Sequence, residues 1–103
     1  MIYIFWTCAN AFEAEKIIRL LLSKKLIACA NIIPEVISIY SWQGEIQKES
    51  EVKTIIKTQP ELFQKVSSCI SQNCSYDVPE ITGINVDSCS PSYLQWLKQI
   101  CNA

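Results

Sequence analysis

The chain has 103 residues, the length of one compact domain, so a single domain over residues 1–103 is predicted. Half of the residues are hydrophobic and only 18% are charged, which excludes a disordered chain and indicates that other chains cover part of the apolar surface. The net charge of -1 gives no basic field for a phosphate backbone, so nucleic acid is not expected as a partner.

Targeting signals and catalytic motifs are both missing from the sequence. No apolar run approaches the roughly 20 residues that span a bilayer, and the N-terminus lacks the basic start and cleavage site of a signal peptide. We therefore expect a cytoplasmic chain with no membrane partner and with six reduced cysteines. Histidine is absent, and there is no nucleophile elbow or phosphate-binding glycine loop, so the chain is not expected to be an enzyme.

The first quarter of the chain is predicted to form a strand and a helix. Met1–Thr7 is rich in Ile, Tyr, Phe and Trp and is apolar on both faces, which is typical of a central strand. Asn10 is a good N-cap, with Glu13 three residues later, and apolar residues then recur at helical spacing. A helix is therefore expected from about Ala11 to Lys25.

A long hairpin is predicted next. Leu26–Trp42 is rich in β-branched residues and is interrupted at Pro34, which cannot donate to a ladder and indicates a bulge or bend. Gln43 and Gly44 form a two-residue connection whose glycine accepts positive φ. Leu26–Trp42 is predicted as one long strand or two collinear pieces, and Val36–Trp42 should fold back onto Glu45–Thr58 as a hairpin.

The remainder is predicted to form a helix, a strand and a last helix. Thr58 and Glu61 match a capping box with Pro60 in the first turn, which predicts a helix over about Pro60–Gln72. Glu80–Val86 has the composition of a strand. Ser90 followed by Pro91 then begins a C-terminal helix with an apolar stripe.

This order of elements predicts an α+β fold. A β-α-β-β-α-β order in about 90 residues is the ferredoxin-like unit, an antiparallel sheet with two helices on one face. Its other face is bare, and the Val36–Thr58 hairpin is longer than strands of this fold usually are. An exposed edge and an uncovered face both favour pairing with further copies, so a closed homo-oligomer is expected.

Three segments resemble the CutA family of divalent-cation tolerance proteins. They are LIACANIIPEVISIYSWQGEIQKESEVKTIIKT from Leu26 to Thr58, YDVPEI from Tyr76 to Ile81, and YLQWL from Tyr93 to Leu97. They follow, in order, the family pattern N-I-I-P, I-Y-x-W-x-G, P-Y-x-x-P-E and Y-L-x-W-L, with Ser75 in place of the first proline of the third motif. The resemblance implies a ferredoxin-like subunit in a tight homotrimer, similar to the PII signalling proteins, in a cytoplasmic protein of copper and divalent-metal tolerance.

Metal binding is the first site hypothesis. Thiolates are the only soft ligands in the chain, so Cu(I) is the metal that suits it best. The resemblance places Cys74 where the family has the His of H-P-Y, while Asn73 and Trp6 replace a second His and a Cys. Cys8 would face the same way as Trp6 and could substitute. Cys29 matches a common family cysteine, but a buried core position is the favoured interpretation.

The other candidate ligands have structural interpretations. Cys69 and Cys101 fall on apolar helix stripes and are expected in the core, and Cys89 is expected in a loop. Asp77 and Glu80 are the nearest pair of ligands for a hard ion. Accepting backbone hydrogen bonds, or pairing with lysine across the subunit boundary, is favoured over metal ligation for this pair.

A ligand cleft between subunits is the second site hypothesis. Its candidate lining consists of family-matching aromatic residues and one acid: Tyr40, Trp42, Tyr76 and Glu80. Packing at a subunit boundary is the favoured role of the aromatic residues. The charges of Lys48, Glu49, Glu51 and Lys53 are interpreted as a solvated or interchain ladder.

Three functional hypotheses follow from these patterns. The leading one is a trimeric protein of divalent-cation tolerance that binds copper or another divalent cation weakly or transiently. The alternative is a PII-like signalling or scaffolding trimer that binds a small ligand or a protein between subunits. In the third, the chain keeps the fold and has lost the metal site, since the family's histidines are missing.

Overall fold

The computed structural model describes residues 1–102, and Ala103, the last residue of the predicted domain, lies outside the described residues. The elements are β1 Ile2–Cys8, α1 Ala11–Ser23, β2 Cys29–Trp42, β3 Glu45–Thr58, a 3-10 turn at Pro60–Leu62, α2 Phe63–Asn73, β4 Ile81–Asn85 and α3 Pro91–Ile100. The predicted order of strands and helices is confirmed. Within residues 1–102, no helix combines the length and the hydrophobicity needed to cross a membrane.

The four strands form one antiparallel sheet in the order β2-β3-β1-β4. Strand β1 is central and pairs with β3 from Ile2 opposite Thr58 to Cys8 opposite Val52. On its other side β1 pairs with β4, whose first residue, Ile81, lies opposite Trp6. This topology confirms the predicted ferredoxin-like α+β fold.

One face of the sheet is covered by α1 and α2. The buried residues of β1 alternate along the strand, with Trp6 and Cys8 completely inaccessible to solvent. They join apolar residues of both helices in the main core. Helix α1 begins as predicted, because the Glu13 N–H donates to the Asn10 side chain at 2.8 Å.

Helix α3 closes one end of the sheet around a second, smaller cluster. This cluster contains Ala28, Leu62, Leu97 and Cys101. The Thr58 hydroxyl faces the same region and donates to the Leu26 carbonyl at 2.6 Å. The predicted capping box is therefore wrong: no side chain caps the 3-10 turn, whose N-cap is Gln59.

The hairpin of β2 and β3 extends well beyond β1. Each of its strands has 14 residues, whereas β1 has seven. The connecting turn places Gln43 and Gly44 at φ of 51° and 80°, and the positive φ of Gly44 is as predicted. The predicted bulge is also confirmed, because the register of β2 shifts between Ile33 and Val36.

Helices α1 and α2 do not cover the second face of the sheet, but Tyr93 of α3 lies close to Tyr3 and Cys29 on that face. The Lys53 ammonium lies 5.4 Å from the centre of the Phe5 ring, and the Lys57 ammonium lies 5.9 Å from the Tyr3 ring. The two lysines belong to β3 and the two aromatic residues to β1, and all four are half-buried. The face that the topology predicts to be bare is therefore left open by α1 and α2, and α3 reaches part of it.

Candidate functional site

The candidate metal ligand Cys8 lies at the end of β1 and faces the core, as Trp6 does. Its thiol donates to the Asn10 carbonyl at 3.6 Å. Burial, followed by the negative charge of Glu13, raises the pKa of Cys8 to about 11. The thiol is therefore protonated at neutral pH and shielded from incoming ions.

Cys74 is half-buried where α2 ends, and it packs against the same core as Cys8. Its thiol donates to the Tyr76 carbonyl at 3.4 Å. Burial raises the pKa of Cys74, the hydrogen bond to Tyr76 opposes this effect, and the charge of Glu13 adds to it. Of the three candidate thiols, Cys74 and Cys8 thus lie in one region of the molecule.

Cys29 lies elsewhere. It pairs with Lys57 across the hairpin, and the Lys57 ammonium donates to its sulfur at 3.9 Å and to the Asn31 side chain. It is half-buried on the open face and belongs to neither core cluster, so its interpretation as a core residue is wrong for the single chain. Cys69 and Cys101 are buried, as predicted.

The thiols do not fit a resident metal centre. Within residues 1–102, no group of three or more cysteine, aspartate or glutamate side chains is arranged to hold a metal ion. Cys29 lies on the opposite face of the sheet from Cys8 and Cys74. A closed tetrahedral site would need more ligands than Cys8 and Cys74 supply.

A second candidate site is an open cleft of about 770 Å³ beside the extended part of the hairpin. It is lined by Thr7, Ser38, Tyr40, Trp42, Gln47, Glu49, Glu51, Ser75, Tyr76, Asp77, Val78 and Glu80. The lining residues of β3 alternate with those that face the helices, so they lie on the opposite face of the strand. All four candidate cleft residues line this one cavity, and its position between subunits stays a prediction.

Glu80 is held by its own chain. It accepts hydrogen bonds from Thr7 at 2.7 Å and Thr82 at 3.2 Å, and it pairs with the Lys53 ammonium at 3.4 Å. Burial alone would raise the pKa of Glu80, but the Thr7 hydrogen bond and the Lys53 charge lower it below the usual range. These three donors fix the start of β4 against β1 and β3.

The Glu51 carboxylate is the feature of the cleft that the sequence did not predict. Glu51 is only 9% exposed, and its Oε2 accepts a hydrogen bond from the Tyr76 hydroxyl at 2.7 Å. Burial and this hydrogen bond raise the pKa of Tyr76 well above that of a free tyrosine. The pair joins the hairpin to the loop that precedes β4.

That loop is also tied to helix α1. The Ser75 N–H and hydroxyl donate to the two carboxylate oxygens of Glu13, at 2.6 and 3.2 Å. Two glutamates, Glu13 and Glu51, therefore position the loop wall of the cleft from different elements. Such side-chain anchoring gives the cleft a defined shape in the single chain.

The hairpin wall of the cleft is more open. Tyr40 and Trp42 lie there, and Trp42 is 59% exposed. A hydrogen bond to Glu49 raises the pKa of Tyr40. The cleft thus combines polar aromatic rings with carboxylates, an arrangement that suits a small polar ligand.

The sheet topology, the extended hairpin and the cleft define a class of small ferredoxin-like α+β proteins. The model of the family described as CutA1 divalent ion tolerance protein matches residues 2–100, and the chain belongs to that family. The family and the relative from Pyrococcus horikoshii described next take their names from divalent-ion tolerance and not from a chemical reaction.

Individual relatives agree with this assignment. The Divalent-cation tolerance protein CutA of Pyrococcus horikoshii is 39% identical over 97 residues, which are 94% of each chain. Protein CutA of Mus musculus is 38% identical over 96 residues, 93% of this chain and 54% of the mouse protein. The chain therefore spans about half the length of the mouse relative. A crystal structure of a CutA1 variant from Pyrococcus horikoshii superposes with a TM-score of 0.95 at 37% identity and covers both chains completely.

Proposed function

We propose that the chain acts in divalent-cation tolerance as a non-catalytic protein that binds copper weakly or transiently. Family membership supports the role, and the half-buried thiol of Cys74 is the observation that carries the binding site. Cys8 is too deeply buried to meet an ion first, and Cys29 lies on the other face. Cu(I) is the form that a thiolate prefers.

Weak binding follows from the protonation of Cys74. A metal ligand must be a thiolate, and burial raises the pKa of this thiol, so binding has to displace a proton. Copper uptake should therefore increase as the pH rises. A half-buried thiol with no clustered co-ligand in residues 1–102 also favours release of the metal over its storage.

The test is a titration of the reduced protein with Cu(I) against a competing chelator. We expect Cys74→Ser to lose most of the uptake, whereas Cys89→Ser, which removes another half-buried thiol, should retain it. Measurements at two pH values should give higher uptake at the higher pH. Equal uptake by both variants and the unchanged protein would contradict the Cys74 site.

We further propose that the functional unit is a homotrimer in the cytoplasm. Ile37, Ile39 and Ile46 project from the hairpin with more than half of their surface exposed, and such apolar surface favours assembly. All six cysteines lie in the described residues and are free thiols, which suits a reducing compartment. Sedimentation equilibrium should give three times the mass of one chain, and the mass of one chain would contradict the trimer.

The second candidate function is a PII-like signalling or scaffolding role with a small ligand in the cleft. The observation in its favour is the cavity of about 770 Å³, in which Tyr40, Trp42 and Tyr76 converge with carboxylates. It requires no metal, so it also covers a chain whose metal site has been lost. A panel of metabolites should contain compounds that raise the melting temperature, because ligands that bind the folded state stabilise it.

A matched pair of variants separates the two candidates. Trp42→Ala removes an aromatic wall of the cleft and leaves every thiol in place, whereas Cys74→Ser does the reverse. Loss of the ligand-induced shift only in Trp42→Ala supports the cleft function. A panel without any shift, together with Cu(I) uptake that depends on Cys74, would overturn it.

A further inference from the structure

The cleft carries an excess of negative charge. Four of its twelve lining residues are acidic and none is a lysine or arginine: Glu49, Glu51, Asp77 and Glu80. Lys53, which does not line the cavity, is paired with Glu80 alone. Three carboxylates therefore face the cavity without an ion-pair partner among residues 1–102. A concave site of one sign of charge attracts ligands of the opposite sign.

Glu51 gives this charge a specific position. It is the most buried acid of the chain, at 9% exposure, and its hydrogen-bond donor is the neutral hydroxyl of Tyr76. A buried carboxylate is costly unless a positive charge compensates it. The Tyr76 hydroxyl occupies Oε2, which leaves Oε1 for a second donor from the cavity side.

The aromatic rings add a second preference for cations. Tyr40 and Trp42 line the cavity beside the carboxylates. The face of an indole or phenol ring attracts an ammonium or guanidinium group. This chain already shows such contacts elsewhere, where Lys53 lies over Phe5 and Lys57 over Tyr3. Rings and carboxylates on neighbouring walls favour an organic cation over a bare metal ion, which would need converging oxygen ligands.

We infer that the cleft binds a small organic amine, whose ammonium or guanidinium group contacts the Glu51 carboxylate and whose carbon chain lies along Tyr40 and Trp42. This inference rests on the second candidate function, the ligand cleft, and specifies the chemical class of its ligand. Glu49 and Asp77 lie on the same cavity and would hold a second positive group, so a diamine should bind more tightly than a monoamine.

The experiment is a calorimetric titration of the full chain with putrescine, agmatine and spermidine at low ionic strength. Two neutral or acidic probes of similar length, 1,4-butanediol and succinate, serve as ligand controls. Glu51→Gln removes the charge and keeps an acceptor for Tyr76, whereas Glu61→Gln removes an exposed charge outside the cleft. We expect at least one amine to bind. Glu51→Gln should weaken the affinity for that amine by about tenfold or more, because a charge-assisted hydrogen bond is lost. Glu61→Gln should bind as the unchanged protein does.

The outcomes distinguish this inference from the function on which it rests. Binding of succinate or butanediol without binding of any amine would overturn the cationic class and leave the ligand cleft intact. Failure of these probes and of the whole metabolite panel would overturn both. A side chain of a neighbouring copy could supply the same cationic group. In that case amines would not bind and Glu51→Gln would weaken assembly, which would also overturn the inference.

Discussion

The two halves of strand β3 belong to one element but have opposite surroundings. From Val52 to Thr58 the strand pairs with β1 as well as β2, and alternate side chains are fully buried under the helices. From Glu45 to Ser50 it pairs only with β2, and its residues are exposed or half-buried. Ile46 in this outer half is 82% exposed, whereas Ile56 in the inner half is inaccessible.

This difference shows which part of the hairpin the single chain stabilises by itself. The inner half contributes to the main core and needs no partner. The outer half keeps its strand geometry through pairing with β2 and exposes apolar side chains that a second chain can cover. The cleft lies beside this outer half, so its hairpin wall belongs to the less supported region.

The largest predicted effect separates Ile56 from Ile46. Ile56→Ala should lower the free energy of unfolding by about 2–5 kcal/mol, because it leaves a cavity in a packed core. Ile46→Ala should change it by less than about 0.5 kcal/mol in the dissociated chain. Urea denaturation at several protein concentrations checks both values, since assembly makes stability depend on concentration. Equal losses for the two variants would remove the distinction between the halves.

The hydrogen bond from Tyr76 to Glu51 lies at the boundary between the two halves, and a substitution at Tyr76 tests it. Tyr76→Phe removes the hydroxyl that donates to Glu51 and leaves a buried carboxylate without that hydrogen bond. The expected loss is about 1–3 kcal/mol in the free energy of unfolding. Glu51→Gln in the same background should restore part of it, because an amide is less costly to bury than a charge. An unchanged denaturation midpoint in Tyr76→Phe would show that the contact contributes nothing to stability.

Gly44 tests the turn at the end of the outer half. Its φ is 80°, and an added Cβ would meet no atom within 4 Å, so the cost of Gly44→Ala comes from the backbone alone. We expect a loss of about 1–2 kcal/mol, the usual cost of an L-residue in the left-handed region. Gly44→Asn should lose less, since asparagine tolerates this conformation. Thermal unfolding of the two variants gives the comparison, and a neutral Gly44→Ala would contradict it.

The smallest effect concerns Glu80, beside the last paired residues of β1. The folded-state pKa of Glu80 lies below the unfolded value, so its contribution to stability is fully present above about pH 4.3. This contribution is lost as the pH falls through the folded pKa. Glu80→Gln should therefore differ from the unchanged protein by less than about 1 kcal/mol near pH 7, because the group is partly exposed. The difference should shrink in acid, and a difference that grows on acidification would show the opposite sign.

Much of the fold could be predicted because local signals agree with the tertiary structure. Asn10 was predicted to cap a helix, Pro34 to mark a bulge and Gly44 to form a turn. Each has that role in the structure. The capping box at Thr58 was wrong because that position is also the buried end of β3. Its hydroxyl satisfies the Leu26 carbonyl, a contact between residues 32 positions apart. Local pattern carries no information about such competition.

The candidate site was less predictable for the same reason. Family motifs pointed to Tyr40, Trp42, Tyr76 and Glu80, and these residues do line one cavity. Glu51 resembled its neighbours in a charged strand and was interpreted as part of a solvated or interchain ladder. In the structure it is buried and accepts a hydrogen bond from Tyr76, which lies 25 positions away on a loop. A contact between hairpin and loop becomes visible only when the chain is folded.

The three tryptophans occupy three distinct environments and act as built-in optical probes. Trp6 lies in the dry core, Trp42 stands at the open wall of the cleft, and Trp96 is partly exposed on α3. Indole emission shifts to longer wavelength as water contact increases, so Trp6 should emit at a shorter wavelength than Trp42. Replacing Trp6 and Trp96 with phenylalanine would leave Trp42 at the cleft as the single tryptophan. Its emission would report assembly and ligand entry directly, without an attached dye.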